Sequence, residues 1–312
     1  MKYVIKKSIV LIVTMLFISM LAFAAFNIIP GDPTTKLLGV EYTEEAAEAL
    51  RNDLGLNDSL VRRYTRWLSG FVTGNLGMSY SYFLPVRDIL RGKIAVTFTC
   101  SFIAWIFVIV LGIGFGILTV RVKPVFQKCI HFFTQITMSV PSFFLSILFA
   151  YFFGIVLKIF TPGKFISFEE NIFKSILCMI LPALAIAIPK ASKVTRLLHA
   201  SITSELQKDY VRTAYSRGNS RRSAIYNHVL KNALFPSITY IAMSLADMAA
   251  GSVIVEQIFV LPGLGRLLLS SIGNRDYPVA QSIIVIIAFV VVFMNYLADI
   301  LTQLLDPRIR LG

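Results

Sequence analysis

The chain has 312 residues, 56% of them hydrophobic, a formal net charge of +13 and a mean hydropathy of +0.73. Apolar runs near the about 20 residues needed to cross a bilayer recur along it, which excludes a soluble globular domain and identifies an all-α integral membrane protein. Lys and Arg are dispersed over short connections between those runs with no recognition motif beside them, so the charge does not mark a nucleic-acid binder. Cys100, Cys129 and Cys178 lie in or beside apolar runs without paired spacing, which supports neither a disulfide framework nor a metal cluster.

The first run, Ser8 to Ile29, follows Lys2, Lys6 and Lys7. A cleaved signal peptide competes here, since Ala22-Phe23-Ala24 resembles a cleavage site, but the run exceeds the roughly 7–15 residues of a signal core and a retained helix is expected. From Pro30 to Lys93 the chain is polar. Thr43 caps an expected helix with Glu44 and Glu45 in its first turn and Gly55 as its stop. A second helix is expected over Leu60 to Phe71, with Tyr64, Trp67, Leu68 and Phe71 on its apolar face. Both lie outside the membrane or along its surface.

The second run, Ala95 to Val120, holds Gly112, Gly114 and Gly116; the Gly112 to Gly116 spacing permits close helix packing, though a lone GxxxG suits a lipid-facing helix as well. The third, Cys129 to Leu157, carries Pro141 in its middle and should kink there. The fourth spans about Ile172 to Ile188, includes Pro182 and ends at Pro189. The fifth and sixth cover Ala233 to Phe259 and Val279 to Ile300. Six spans put both termini on one side.

Positive charge chooses that side. One set of short segments holds Lys2, Lys6, Lys7, Arg121, Lys123, Lys128, the basic stretch from Lys190 to Lys231, Arg308 and Arg310; the other holds Lys158, Lys164, Lys174, Arg266 and Arg275. The N- and C-termini are therefore expected in the cytoplasm. The long Pro30 to Lys93 segment is left out of the comparison, because such lengths translocate regardless of charge.

Lys208 to Pro236 is a basic segment between the fourth and fifth runs, and reads as short amphipathic helices. Tyr210, Ala214 and Gly218 recur every fourth position and would line a face small enough for another protein to approach, with Asp209, Arg212, Arg217, Arg221 and Arg222 around it. A plain cytoplasmic loop rich in Arg and Lys has the same composition.

At this segment the chain resembles the bacterial ABC importer permeases of the oligopeptide, dipeptide and nickel uptake family. Asp209-Tyr210-Val211-Arg212-Thr213-Ala214, Gly218, Asn232-Ala233-Leu234 and Pro236 follow that family's coupling-loop pattern in order. The resemblance covers nearly the whole chain: Pro30-Gly31-Asp32-Pro33, Leu54-Gly55-Leu56, Tyr64 with Trp67, Gly74-Asn75-Leu76-Gly77, Pro141-Ser142-Phe143, Leu181-Pro182-Ala183, Leu261-Pro262-Gly263-Leu264-Gly265, Arg275-Asp276-Tyr277-Pro278 and Asp306-Pro307-Arg308. Arg212-Thr213-Ala214 departs from the Glu-Ala-Ala run of many importer permeases, so a salt bridge from that glutamate is not implied.

The resemblance implies a type I importer permease fold of six transmembrane helices: residues 1–94 as first helix plus extracytoplasmic segment, 95–305 as permease core with a coupling loop over 190–232, and 306–312 as a cytoplasmic tail. It implies half of a translocation pathway in the cytoplasmic (inner) membrane. The implied partners are a homologous second permease subunit, two ATP-binding subunits and an extracytoplasmic solute-binding protein, for which Pro30 to Lys93 and Leu261 to Tyr277 are the expected docking surfaces. Asp209, Tyr210, Arg212, Ala214, Gly218, Arg221 and Pro236 would couple to the ATPases, the arginines pairing with acidic groups there.

The chain has no GxxxxGK[ST] phosphate loop, so ATP hydrolysis is assigned to partners and no cofactor is expected. No nucleophile or acid–base constellation is visible; His131, His199 and His228 are separated in sequence near cytoplasmic ends. Asp247, mid-span, and Glu256, at the outer end, are the candidates for the pathway, because an acid at membrane depth lines a cavity more readily than it faces lipid. Asp247 could attract a peptide amino terminus, coordinate a divalent cation or pair with the partner permease. Glu256 begins a family-like EQIFVLPGLG stretch and equally suits a structural anchor; Asp299 suits snorkelling to the interface. Peptides are the expected substrate, with nickel or another chelated metal as the alternative. A secondary transporter would show an internal repeat of broken helices, which is not seen. A mere membrane anchor would not need the coupling loop.

Overall fold

A computed structural model describes residues 2–28, 33–39, 42–53 and 55–305. Pro30, Gly31, Asp32, Leu54 and the 306–312 tail with Asp306-Pro307-Arg308 lie outside the described residues. The helices run α1 (Lys2–Ile28), α2 (Pro33–Leu38), α3 (Glu44–Asp53), α4 (Leu60–Thr73), α5 (Val86–Leu90), α6 (Lys93–Thr119), α7 (Pro124–Ser139) and α8 (Ser142–Phe149). After a π-helical turn, Ala150–Val156, come α9 (Ile172–Glu205), α10 (Asp209–Ser216), α11 (Arg221–Ala224), a second π-helical turn, Ile225–Val229, α12 (Leu230–Ala233), α13 (Phe235–Phe259), α14 (Leu264–Gly273) and α15 (Tyr277–Leu305). Among the described residues the one β interaction is an isolated bridge between Met78 and Pro85.

The chain divides into two units, residues 1–97 with 262–292, and residues 98–261 with 293–312. In the first, α1 exposes Ile5, Ile9, Val13 and Phe17 along one side, an apolar stripe suited to lipid. Thr43 Oγ1 accepts from Ala46 N at 3.2 Å and caps α3, as expected from sequence. Helix α4 begins after the Ser59 cap and stops at Gly74, whose φ of +83° suits glycine. Its aromatic face packs on α1: Phe23 meets Tyr64 at 5.5 Å and Trp67 at 6.2 Å between ring centroids, and Ser19 Oγ shares a 2.8 Å hydrogen bond with the Tyr64 hydroxyl. The N-terminus of α14 is tied down by Leu264 N donating to Thr97 Oγ1 at 2.8 Å.

In the second unit α7, α8 and α13 all pack on α9. The GxxxG spacing of α6 is used here: a Cβ on Gly112 would stand 2.7 Å from Val194 and one on Gly116 2.8 Å from Leu198, whereas one on Gly114 would meet nothing within 4 Å. Close approach lets Thr195 Oγ1 donate to the Gly112 carbonyl at 3.2 Å.

Two expectations about proline are corrected in opposite directions. At Pro141 the kink is a full break: α7 and the helix after it diverge by 103°. The residue before a proline is pushed out of the helical region, and Val140 is extended at φ −92°, ψ 123°. At Pro189, where the fourth run was expected to end, α9 continues for four more turns to Glu205 with both Pro182 and Pro189 inside it. Each proline removes one hydrogen bond, and the packing of three neighbouring helices outweighs that loss. Among the described residues five single helices are long and apolar enough to cross a membrane, and the bent pair makes a sixth if counted as one span.

Candidate functional site

The polar segment after α9 is built on an apolar underside. Val211 of α10, Ala224 at the end of α11, Val229 of the π turn and Ala233 of α12 are buried with Leu198 and Ile202 of α9. Ala214 is buried too, at 5% exposure, so its small side chain serves this internal packing. Gly218 lies beyond the last turn of α10 with φ +83°. Gly218 N donates to Tyr215 O at 2.9 Å and Asn219 N to Ala214 O at 3.2 Å, which is a Schellman ending and requires a left-handed residue at that position. Ala214 therefore faces inward, while Gly218 is exposed just past the end of α10, so the two do not share one face of that helix.

Hydrogen bonds fix the segment to the end of α9. The Glu205 carboxylate accepts from Lys208 Nζ and from the Tyr210 hydroxyl, each at 2.5 Å. Asn232 Nδ2 donates to the same hydroxyl at 3.4 Å. Burial, and then the bond to Glu205, hold the Tyr210 phenol protonated above its ordinary range. Ser220 caps α11 by accepting from Ser223 N at 3.3 Å. Arg121, after α6, donates to the Tyr226 hydroxyl at 2.9 Å. Pro236 sits in the first turn of α13, where its missing N–H costs nothing.

What remains exposed is charged. Asp209 and Arg212 are 97% and 78% exposed and stand 3.5 Å apart, a pair of little energetic weight in water. Arg217, Arg221 and Arg222 are exposed beside them. The result is a guanidinium-rich surface on a rigid base, suited to acidic or carbonyl acceptors on another protein.

The two membrane-depth acids differ. Asp247 of α13 is 63% exposed and pairs with Lys190 Nζ of α9 at 3.3 Å, a partner within the same chain that its sequence position did not disclose. Next to it, Lys193 Nζ lies 4.6 Å from the centre of the Tyr240 ring. Glu256 is fully buried and accepts from Ser252 Oγ at 3.2 Å, one turn away. The histidines also differ from expectation: His131 and His199, distant in sequence, stack edge-on with centroids 4.5 Å apart, and His199 Nδ1 is 3.0 Å from Thr119 Oγ1.

In the first unit the important acid is one to which the sequence assigned no role. Asp276, just before α15, is fully buried and gathers the turn after α4: the Ser79 hydroxyl and the Tyr80 and Ser81 amides all donate to its carboxylate, the last two at 3.0 and 3.3 Å. An acid immediately before an apolar run, in the capping position, was the available signal. A cavity of about 640 Å³ opens nearby among Phe26, Asn27, Arg63, Trp67, Gly77 and Tyr277.

Residues 108–311 match the family described as the binding-protein-dependent transport system inner membrane component, and residues 1–99 match its N-terminal counterpart. The chain is 32% identical over 309 residues, covering 99% of both chains, to a Sinorhizobium fredii protein named "Probable peptide ABC transporter permease protein y4tP". It is 33% identical over 314 residues, again 99% of both, to the oligopeptide transport system permease protein AppB of Bacillus subtilis. To the nickel import system permease protein NikB of Staphylococcus aureus it is 32% identical over 314 residues, 99% of this chain and 92% of that one. With its apolar helices and both matches along its length, the chain belongs to the family of inner-membrane components of binding-protein-dependent transport systems, as a multi-pass protein of the cell membrane.

Proposed function

We propose that the chain is one permease subunit of an ATP-driven importer of peptides, spanning the membrane six times with both termini in the cytoplasm. The observation that carries this reading is the segment Asp209 to Ala233: an exposed arginine surface locked to the end of α9 by Glu205 and Tyr210. In that reading α10 and α11 dock on an ATP-binding subunit through Asp209, Arg212, Arg217, Arg221 and Arg222. Tyr210, Ala214, Gly218 and Pro236 hold the docking helices in shape. A homologous second permease supplies the other half of the pathway, two ATP-binding subunits supply the hydrolysis, and an extracytoplasmic binding protein delivers the solute.

Peptides are placed first because peptide permeases of Sinorhizobium and Bacillus match this chain from end to end. Nickel is the second reading, supported by similarity of the same degree to a nickel permease. Proteoliposomes holding the assembled importer, given ATP and its binding protein, are tested with radiolabelled short peptides and with nickel. ATP-dependent peptide uptake supports the first reading, nickel uptake without peptide uptake supports the second, and gradient-driven uptake without ATP overturns both.

A further inference from the structure

The Lys190–Asp247 pair has an unusual setting. Asp247 is twelve residues into the 25-residue helix α13, which at 1.5 Å per residue puts it about 18 Å from Phe235, at the middle of a membrane-crossing helix. Its side chain is 63% exposed, while that of Lys190 is only 21% exposed. Met243, Gly251 and Ile254 are exposed on the same face of α13 and carry no charge. Facing hydrocarbon, such a carboxylate would be very costly, so this face meets a polar cavity or another subunit. Lys193 is engaged with the Tyr240 ring, which leaves Lys190 as the cation opposing Asp247.

We propose that a zwitterionic solute displaces this pair, so that Lys190 and Asp247 together select peptides with both a free amino and a free carboxyl terminus. The inference rests on the peptide-importer reading and adds a specificity rule to it. The pair is neutral. When a solute ammonium takes Asp247 and its carboxylate takes Lys190, both protein charges stay compensated. A solute blocked at one end leaves one of them uncompensated in a low-dielectric site, which is the expensive outcome. A bare divalent cation would take Asp247 and face the released Lys190 ammonium, an added repulsion that a zwitterion avoids.

The test uses the assembled importer in proteoliposomes with three forms of one tripeptide, each shown to load the binding protein: unmodified, N-acetylated and C-amidated. Each variant's rates are compared with wild type for the same loaded binding protein, so selectivity residing in that protein cancels. Asp247→Asn is expected to lower the ratio of unmodified to N-acetylated uptake by about ten-fold and leave the ratio against the amide unchanged; Lys190→Gln is expected to do the reverse. The thermal midpoint of each variant is measured alongside. Equal loss for all three peptides would make the pair a structural link between α9 and α13 and overturn the inference, as would unchanged ratios in both variants. If the wild-type importer moves none of the three, the peptide reading itself has failed and the inference falls with it.

Discussion

Replacing Asp276 by alanine should release the turn that follows α4. Its carboxylate is fully buried and collects the Ser79 hydroxyl and the Tyr80 and Ser81 amides, the two amides at 3.0 and 3.3 Å. Hydrogen bonds to a charged acceptor are worth about 1.5–3 kcal/mol each, but they do not add, and truncation also strands amide donors. A local loss of about 3–4 kcal/mol follows, since the stranded donors are neutral and no buried charge is left unpaired. Since each 1.4 kcal/mol is ten-fold, the open turn should become roughly 100- to 1,000-fold more populated. Limited chymotrypsin digestion reads this directly, because Tyr82, Phe83 and Leu84 are already 47%, 64% and 53% exposed and await only backbone release. Asp276→Asn keeps one acceptor but turns an amide N–H₂ toward other donors, so its cleavage rate should fall between wild type and alanine. Ser79→Ala removes the hydroxyl that donates to Asp276 and accepts from the Ser81 and Tyr82 amides at 3.3 and 3.0 Å, but it leaves the carboxylate with its two amide donors, so its effect should stay below that of Asp276→Ala. Cleavage of Asp276→Ala at the wild-type rate would refute the assignment.

Gly112→Ala and Gly116→Ala each force a Cβ against α9 and should cost about 1–3 kcal/mol, whereas Gly114→Ala meets open space and should be neutral; thermal midpoints of the purified protein separate the three. Gly218→Val should lose about 1–2 kcal/mol because its φ of +83° is left-handed, and Gly218→Asn less, since asparagine tolerates that region; both uptake and thermal midpoint should follow that order. Tyr210→Phe and Glu205→Ala both break the link between the basic segment and α9, so each should lower uptake per ATP hydrolysed, and the double variant should be no worse than the worse single one. An additive double variant would mean that the two side chains act separately.

Much of this architecture was legible because it follows periodicity and local chemistry. The cap at Thr43 and the aromatic face of Tyr64, Trp67 and Phe71 are determined within a few residues of where they act. The prolines were not legible in the same way. Pro141 and Pro189 carry the same local defect, yet one breaks its helix and the other does not, because the outcome depends on which helices pack against the site. The same reason hid the Lys190 partner of Asp247 and the contact of His131 with His199, since each joins residues on separate helices. Ala214 and Gly218 were singled out correctly as small, but a spacing of four cannot tell an outward face from an inward one or from a residue just past the helix end.

Helix α9 connects the two regions of the second unit that matter most. It carries Lys190, opposite Asp247, and ends at Glu205, which grips Tyr210 in the first turn of α10. From Lys190 to Glu205 it is proline-free, a stiff rod of about 22 Å at 1.5 Å per residue. Its two weak points, the missing amide donors of Pro182 and Pro189, both precede Lys190. Any bending is therefore concentrated on the far side of Lys190 from the coupling segment. A displacement imposed on Tyr210 through Glu205 consequently reaches Lys190 with little lost on the way. With an ATP-binding subunit docked on the arginine surface as proposed, the order Pro189, Lys190, Glu205 along one helix would carry its movement to the charge pair.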